Sequence, residues 1–137
     1  MGRDEEIEKL IGTAKAAYMS NTKWKKLFEA AETFGEPLGA VKWKFLWCDI
    51  AMEHPLDVLG LLESARFIDS LPAPYAELKE IHWIYIPEFH SNPQSDKKRS
   101  LPDIHNNLAL FSEHLAGFGS FPVFFDRGGI KIKGYDF

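Results

Sequence analysis

The stretch around residue 130 admits few folds. Phe121-Pro122-Val123-Phe124-Phe125 leads into Asp126-Arg127-Gly128-Gly129, and Ile130-Lys131-Ile132-Lys133-Gly134-Tyr135 follows. Strict alternation of isoleucine with lysine sends the apolar side chains to one side of a strand, a separation that helical spacing does not give. The paired glycines permit the positive φ angles of a tight turn. The segment therefore reads as a β-hairpin with strands near 121–126 and 129–135, one face on a core and the other in water.

The same logic finds two more strands. Over 40–47, Val41, Trp43, Phe45 and Trp47 alternate with Lys42 and Lys44, whereas Glu80-Ile81-His82-Trp83-Ile84-Tyr85-Ile86 is apolar or aromatic on both faces and so reads as a central strand over 80–87. Helical spacing appears three times. Trp24, Leu27, Phe28 and Ala31 mark a helix over 22–34, capped by Asn21 or Thr22 and stopped at Gly35. Ile104, Leu108, Phe111 and Leu115 mark another over 101–116, with Ser100 and Asp103 as its capping box. Ile7, Leu10, Ile11, Ala14 and Tyr18 form a narrow stripe over 4–18. Between 49 and 63 the spacing of Leu56, Leu59 and Leu62 competes with Pro55 and Gly60, which predicts a loop or short helix before a short strand near 65–68. Pro72 and Pro74 mark a turn, and 91–100 reads as a polar loop. The expected fold is α+β: an antiparallel sheet of four to five strands, two main helices packed on one face, and a peripheral N-terminal helix. Residues 20–137 form one domain, and residues 1–19 form an appendage, with Met19 as a second possible start.

A chain of 137 residues suits one core. No apolar run approaches the roughly 20 residues that span a bilayer, and the acidic start Arg3-Asp4-Glu5-Glu6 is unlike a signal peptide, so no membrane is expected. Cys48, the single cysteine, sits in an apolar run and has no internal partner, which suits a reducing, cytoplasmic setting. The net charge is −4, and it is unevenly placed: eight acids against Arg66 and Lys79 between Asp49 and Glu88 leave a net −6 there. Such a segment opposes a nucleic-acid face and suits a cationic protein partner, so no nucleic-acid partner is expected. The candidate contact residues are Asp49, Glu53, Asp57, Glu63 and Asp69, with Tyr75 and Trp47 as aromatic anchors.

Catalytic patterns are missing. The histidines His54, His82, His90, His105 and His114 form no metal-ligand spacing, and His105 and His114, nine apart on the 101–116 helix, fall on opposite faces. No Gly-x-Ser-x-Gly elbow occurs, and neither Gly117-Phe118-Gly119 nor Gly128-Gly129 opens a helix that could hold a phosphate. Lysines flank Trp24 and Trp43, but in both segments the tryptophan falls on the apolar side and the lysines opposite. No catalytic, cofactor or metal residue is assigned.

The string Asn21-Thr22-Lys23-Trp24-Lys25-Lys26-Leu27-Phe28, the segment Leu78-Lys79-Glu80-Ile81-His82-Trp83-Ile84 and the ending Phe121-Pro122 through Gly134-Tyr135 resemble an uncharacterised family of small bacterial proteins. The likeness covers residues 20 to 135. It implies a bacterial, stand-alone domain and carries over no catalytic residue. Some small, acidic, aromatic-rich bacterial domains of this type serve as immunity proteins, which implies a non-catalytic protein-binding module, an immunity-like inhibitor of a basic toxin or effector. Two alternatives stand beside it. One is a small-ligand binder or enzyme with a pocket between sheet and helices, near His82, His90 or His105; the other is a homo-oligomeric module joined through residues 4–18.

Overall fold

The computed structural model describes residues 3–63, 66–67, 76–90 and 104–137. In chain order the elements are α1 (Arg3–Thr13), β1 (Ala16–Ala17), α2 (Asn21–Thr33), β2 (Lys42–Phe45), β3 (Met52–Glu53), β4 (Leu62–Glu63), β5 (Arg66–Phe67), β6 (Ile81–Pro87), β7 (Phe89–His90), β8 (Ile104–His105), α3 (Leu108–Ala116), β9 (Val123–Asp126), β10 (Gly129–Lys133) and β11 (Tyr135–Asp136). The fold is α+β. Five strands form one antiparallel sheet in the order β3-β2-β6-β10-β9, with β6 at its centre. Short ladders join β1 to β11, β4 to β5 and β7 to β8.

The core follows from the alternation. Trp43 and Phe45 of β2, Ile81, Ile84 and Ile86 of β6, and Ile130 and Ile132 of β10 are buried in one cluster with Trp24, Leu27 and Phe28 of α2 and Phe111 and Leu115 of α3. Its spine is a column of stacked rings, Trp24–Phe28–Trp43–Phe45–Trp47, with successive centroids 5.4–6.2 Å apart. Each such pair adds about 0.5–1.5 kcal/mol beyond burial. The Trp43 indole N–H donates to the carbonyl of His54 at 3.0 Å, so a buried polar edge is satisfied.

Several expectations change at the element ends. The N-terminal helix ends at Thr13, not Tyr18, because residues 16–17 pair with Asp136 and Tyr135. Ile7 is 1 % exposed, Lys79 contacts Glu8, and the Tyr18 hydroxyl donates to Asp136, so this segment is joined to the sheet's end. Ser20, rather than Asn21 or Thr22, caps α2, its hydroxyl accepting from the Lys23 N–H. The third helix starts at Leu108, not 101. Asn107 caps it, and Ile104–His105 instead form a strand against Phe89–His90. His105 and His114 therefore share no helix. The expected loop over 49–63 contains β3, a 3-10 turn at Leu59–Leu61 and β4. A second 3-10 turn, Leu78–Glu80, delays the central strand to Ile81. Ser100, Asp103, Pro72, Pro74 and the 91–100 segment lie outside the described residues.

The hairpin shows what its glycines do. Positive φ falls on Arg127 and Gly128, the two loop residues, while Gly129 is needed for space: a Cβ there would lie 2.6 Å from the Ile86 carbonyl and the Tyr85 ring.

Candidate functional site

Asp49 and Asp57 are exposed, and Glu53 on β3 is paired with Lys42 at 3.7 Å. Glu63 lies on β4, and Asp69 and Tyr75 fall outside the described residues. Trp47, expected as an exposed anchor, is half-buried instead, because it continues the i, i+2 series of Trp43 and Phe45 and stacks on Phe45 at 5.4 Å. One local convergence exists that the linear sequence hid. Asp57 shares a cleft of about 370 Å³ with Glu32 and Glu36 from the end of α2, over an apolar floor of Leu38, Pro55 and Leu56. All three carboxylates are exposed, and no cation among the described residues lines the cleft.

Among the described residues, no group of three or more His, Cys, Asp and Glu side chains is placed to hold a metal ion. His105 is exposed and stacks flat on Phe89 at 4.6 Å. His114 on α3 meets the Thr33 hydroxyl at 3.0 Å through Nε2, and His54 Nδ1 meets the carbonyl of Pro55 at 2.9 Å.

The more developed surface lies between α3 and the sheet edge. β9 is an end strand, paired only with β10 among the described residues. A two-residue loop makes Asp126↔Gly129 the first hydrogen-bonded pair, so Phe124↔Lys131 is the next and Phe125↔Ile130 lies between them without ladder bonds. The Lys133 N–H to Pro122 carbonyl bond, two residues further, fits this register. The N–H and C=O of Phe125 therefore point outward, as does the carbonyl of Val123. The Phe125 ring is 85 % exposed. On its helix side run two adjoining hollows of about 520 and 580 Å³, which share Ser112 and Phe125. The helix offers them small side chains, Ala109, Ser112 and Ala116, at i, i+3 and i+7, so the wall is recessed. Glu88 stands at one end of the groove and Phe121 at the other.

Asn106 fixes this geometry from behind. Its buried amide accepts from the Gly39 N–H at 2.8 Å and donates to the carbonyls of Gly39 at 2.8 Å and Pro87 at 2.7 Å. Its own N–H bonds the Glu88 carbonyl, one residue before the cap of α3. The start of the helix is thereby tied to the end of the central strand.

The opposite sheet face is also polar and aromatic. Tyr18 donates to Asp136 at 2.7 Å, and the Lys133 ammonium lies 3.0 Å from the same carboxylate. These bonds hold the Asp136 carboxyl below its ordinary range and raise the Tyr18 phenol above its own. Burial depresses the His82 imidazole, and Lys44, Lys131 and Lys133 push it the same way against an opposing Asp136.

No protein-family model, no curated protein and no solved structure matches this chain. The functional reading accordingly rests on the surfaces themselves. Among the described residues, no helix is long and apolar enough to cross a membrane.

Proposed function

We propose that this domain is a non-catalytic protein-binding module that receives an extended segment of its partner along β9. The observation that carries the reading is the edge at Phe125, unpaired among the described residues, with its outward N–H and C=O beside a recessed apolar groove. An exposed aromatic edge strand without a guarding lysine or proline at its centre is an aggregation hazard unless something pairs with it. An added strand would extend the sheet, and alternate side chains would enter the hollows beside Ser112. Selection from a displayed library of random peptides tests this. Enriched peptides should alternate apolar residues, and Phe125→Lys or Ser112→Tyr should weaken them at least tenfold. Equal binding by both variants, or an edge that pairs only with a second copy in sedimentation, would sink the proposal.

The immunity-like form of this reading, with a basic toxin or effector as partner, draws support from a second surface. Glu32, Glu36 and Asp57 ring an apolar floor, an arrangement that suits a lysine or arginine with its aliphatic stem laid on Leu38 and Leu56. Electrostatic attraction at such a rim speeds encounter and weakens with salt. Against a basic partner, Glu32→Lys with Asp57→Lys should slow association and flatten its salt dependence. An unchanged association rate would remove the cationic requirement while leaving the strand-edge reading intact.

A further inference from the structure

The sheet face turned away from α2 and α3 gathers lysines and aromatic rings in register. Across the sheet, Lys44 pairs with Trp83 and Trp83 with Lys133; one row further, Lys42 pairs with Tyr85, Tyr85 with Lys131, and Lys131 with Phe124. Each ring of the central strand thus lies between two lysines, one from each neighbouring strand. Alternation makes this necessary, since the residues between them, Trp43, Ile84, Ile130 and Ile132, are buried on the helix side. A register shift between Lys44 and Phe45 leaves His82 without a partner on β2, beside the same lysines, while its carbonyl accepts from the Gly134 N–H at 2.7 Å. Trp83 and Tyr85 are half-buried and Phe124 is 36 % exposed; the Tyr18 ring meets Phe124 edge-on at 5.7 Å, and the Tyr85 hydroxyl donates to the carbonyls of Asp126 and Arg127 at 3.0 Å. The Lys131 ammonium sits 4.5 Å over the Trp83 ring, and that of Lys133 sits 4.5 Å over Phe124.

We propose that this face binds single-stranded nucleic acid, with bases stacked on Trp83, Tyr85 and Phe124 and phosphates met by Lys42, Lys44, Lys131 and Lys133. The pattern combines the two elements such sites need, flat π-faces for any base and cations placed between them for the backbone. An acidic peptide would use the lysines but leave three rings idle. Glu53, Asp126 and Asp136 stand at the margins and pair with Lys42 at 3.7 Å, Lys131 at 3.4 Å and Lys133 at 3.0 Å. These pairs are partly exposed and so contribute little, and each ammonium, with three donors, keeps capacity for a phosphate beside its carboxylate. Lys44 makes no ion pair among the described residues; its ammonium donates to the Phe45 carbonyl at 2.9 Å. The acidic count over 49–88 hid this face, because its lysines come from β2 and β10, outside that segment.

The test is fluorescence anisotropy of a labelled 15-nucleotide oligothymidine with the full chain, in about 20–150 mM salt. Binding should weaken with salt at a log–log slope of about −2 to −3, from roughly three to four phosphate contacts at about 0.7 each. Trp83→Ala should cost about ten- to hundredfold in affinity. Because Trp83 also packs, Lys44→Gln with Lys131→Gln provides a second variant, expected to lose about tenfold and to lower the salt slope. No anisotropy change at the lowest salt, binding indifferent to the lysine pair, or competition by polyglutamate as strong as by unlabelled oligothymidine would each overturn the proposal.

Discussion

Asn106 shows how much of this molecule depends on single side chains that no periodicity announces. One buried amide satisfies both backbone groups of Gly39 and the carbonyl of Pro87. Asn106→Ala leaves those groups without partners, and we expect a loss on the order of 3 kcal/mol in urea denaturation. A loss below the noise would show that water replaces the amide. His82 gives a prediction in pH. Burial, with Lys44, Lys131 and Lys133, holds its folded pKa below the ordinary 6.5, against the opposing Asp136. The unfolded chain then binds the proton more readily. Its contribution to stability is full above pH 6.5 and is lost as pH falls through the folded pKa. An NMR titration of His82 should place its midpoint below 6.5, and His82→Gln should flatten the acid limb of the stability profile; a midpoint at or above 6.5 contradicts this. At this scale the sequence disclosed the inward residues, such as Trp43, Phe45, Ile130 and Ile132, because burial alone dictates their alternation. Asn106 stayed hidden because its partners lie 67 and 19 residues away.

Elements were legible where the apolar pattern is unbroken and illegible where a side chain outbids it. The hairpin, the central strand and α2 follow directly from spacing, with Gly35 in the left-handed region just past the α2 cap. The beginning of α3 does not. Ile104 continues the helical stripe, yet the Asn107 cap and the pairing of Phe89 with His105 draw residues 104–105 into a strand. Residues 14–18 depart from the stripe of α1 for a similar reason, since Tyr18 and the β1 ladder are held by the chain's last residues. Ile7 tests whether α1 belongs to the cooperative fold. Ile7→Ala should destabilise the whole domain by about 2–5 kcal/mol, whereas an independent appendage would leave its unfolding midpoint unchanged. In the hairpin, Arg127 adopts a φ of 48° with its side chain 92 % exposed. Asn is better suited to that position, and Arg127→Asn should raise stability by about 0.5–1 kcal/mol, read as a higher thermal midpoint.

For the whole molecule, the fold redistributes what the linear chain separates. Among the candidate acids, Asp57 shares a cleft with Glu32 and Glu36 from the end of α2, and Glu53 meets Lys42 of β2. Lysines from β2 and β10 meet on one sheet face, and the small residues of α3 meet the free edge of β9 across a groove. None of these surfaces could be read without the strand order, because each joins elements distant in sequence. Function in this account belongs to the surfaces that the core leaves uncovered, foremost the β9 edge. Amide hydrogen exchange at β9, followed by NMR, tests that claim most directly. In the free protein the Phe125 amide should exchange rapidly while those of Phe124 and Asp126, turned toward β10, are protected, and a selected extended peptide should then protect Phe125. A Phe125 amide already protected in the free protein, or one left unprotected by a bound peptide, would contradict the account.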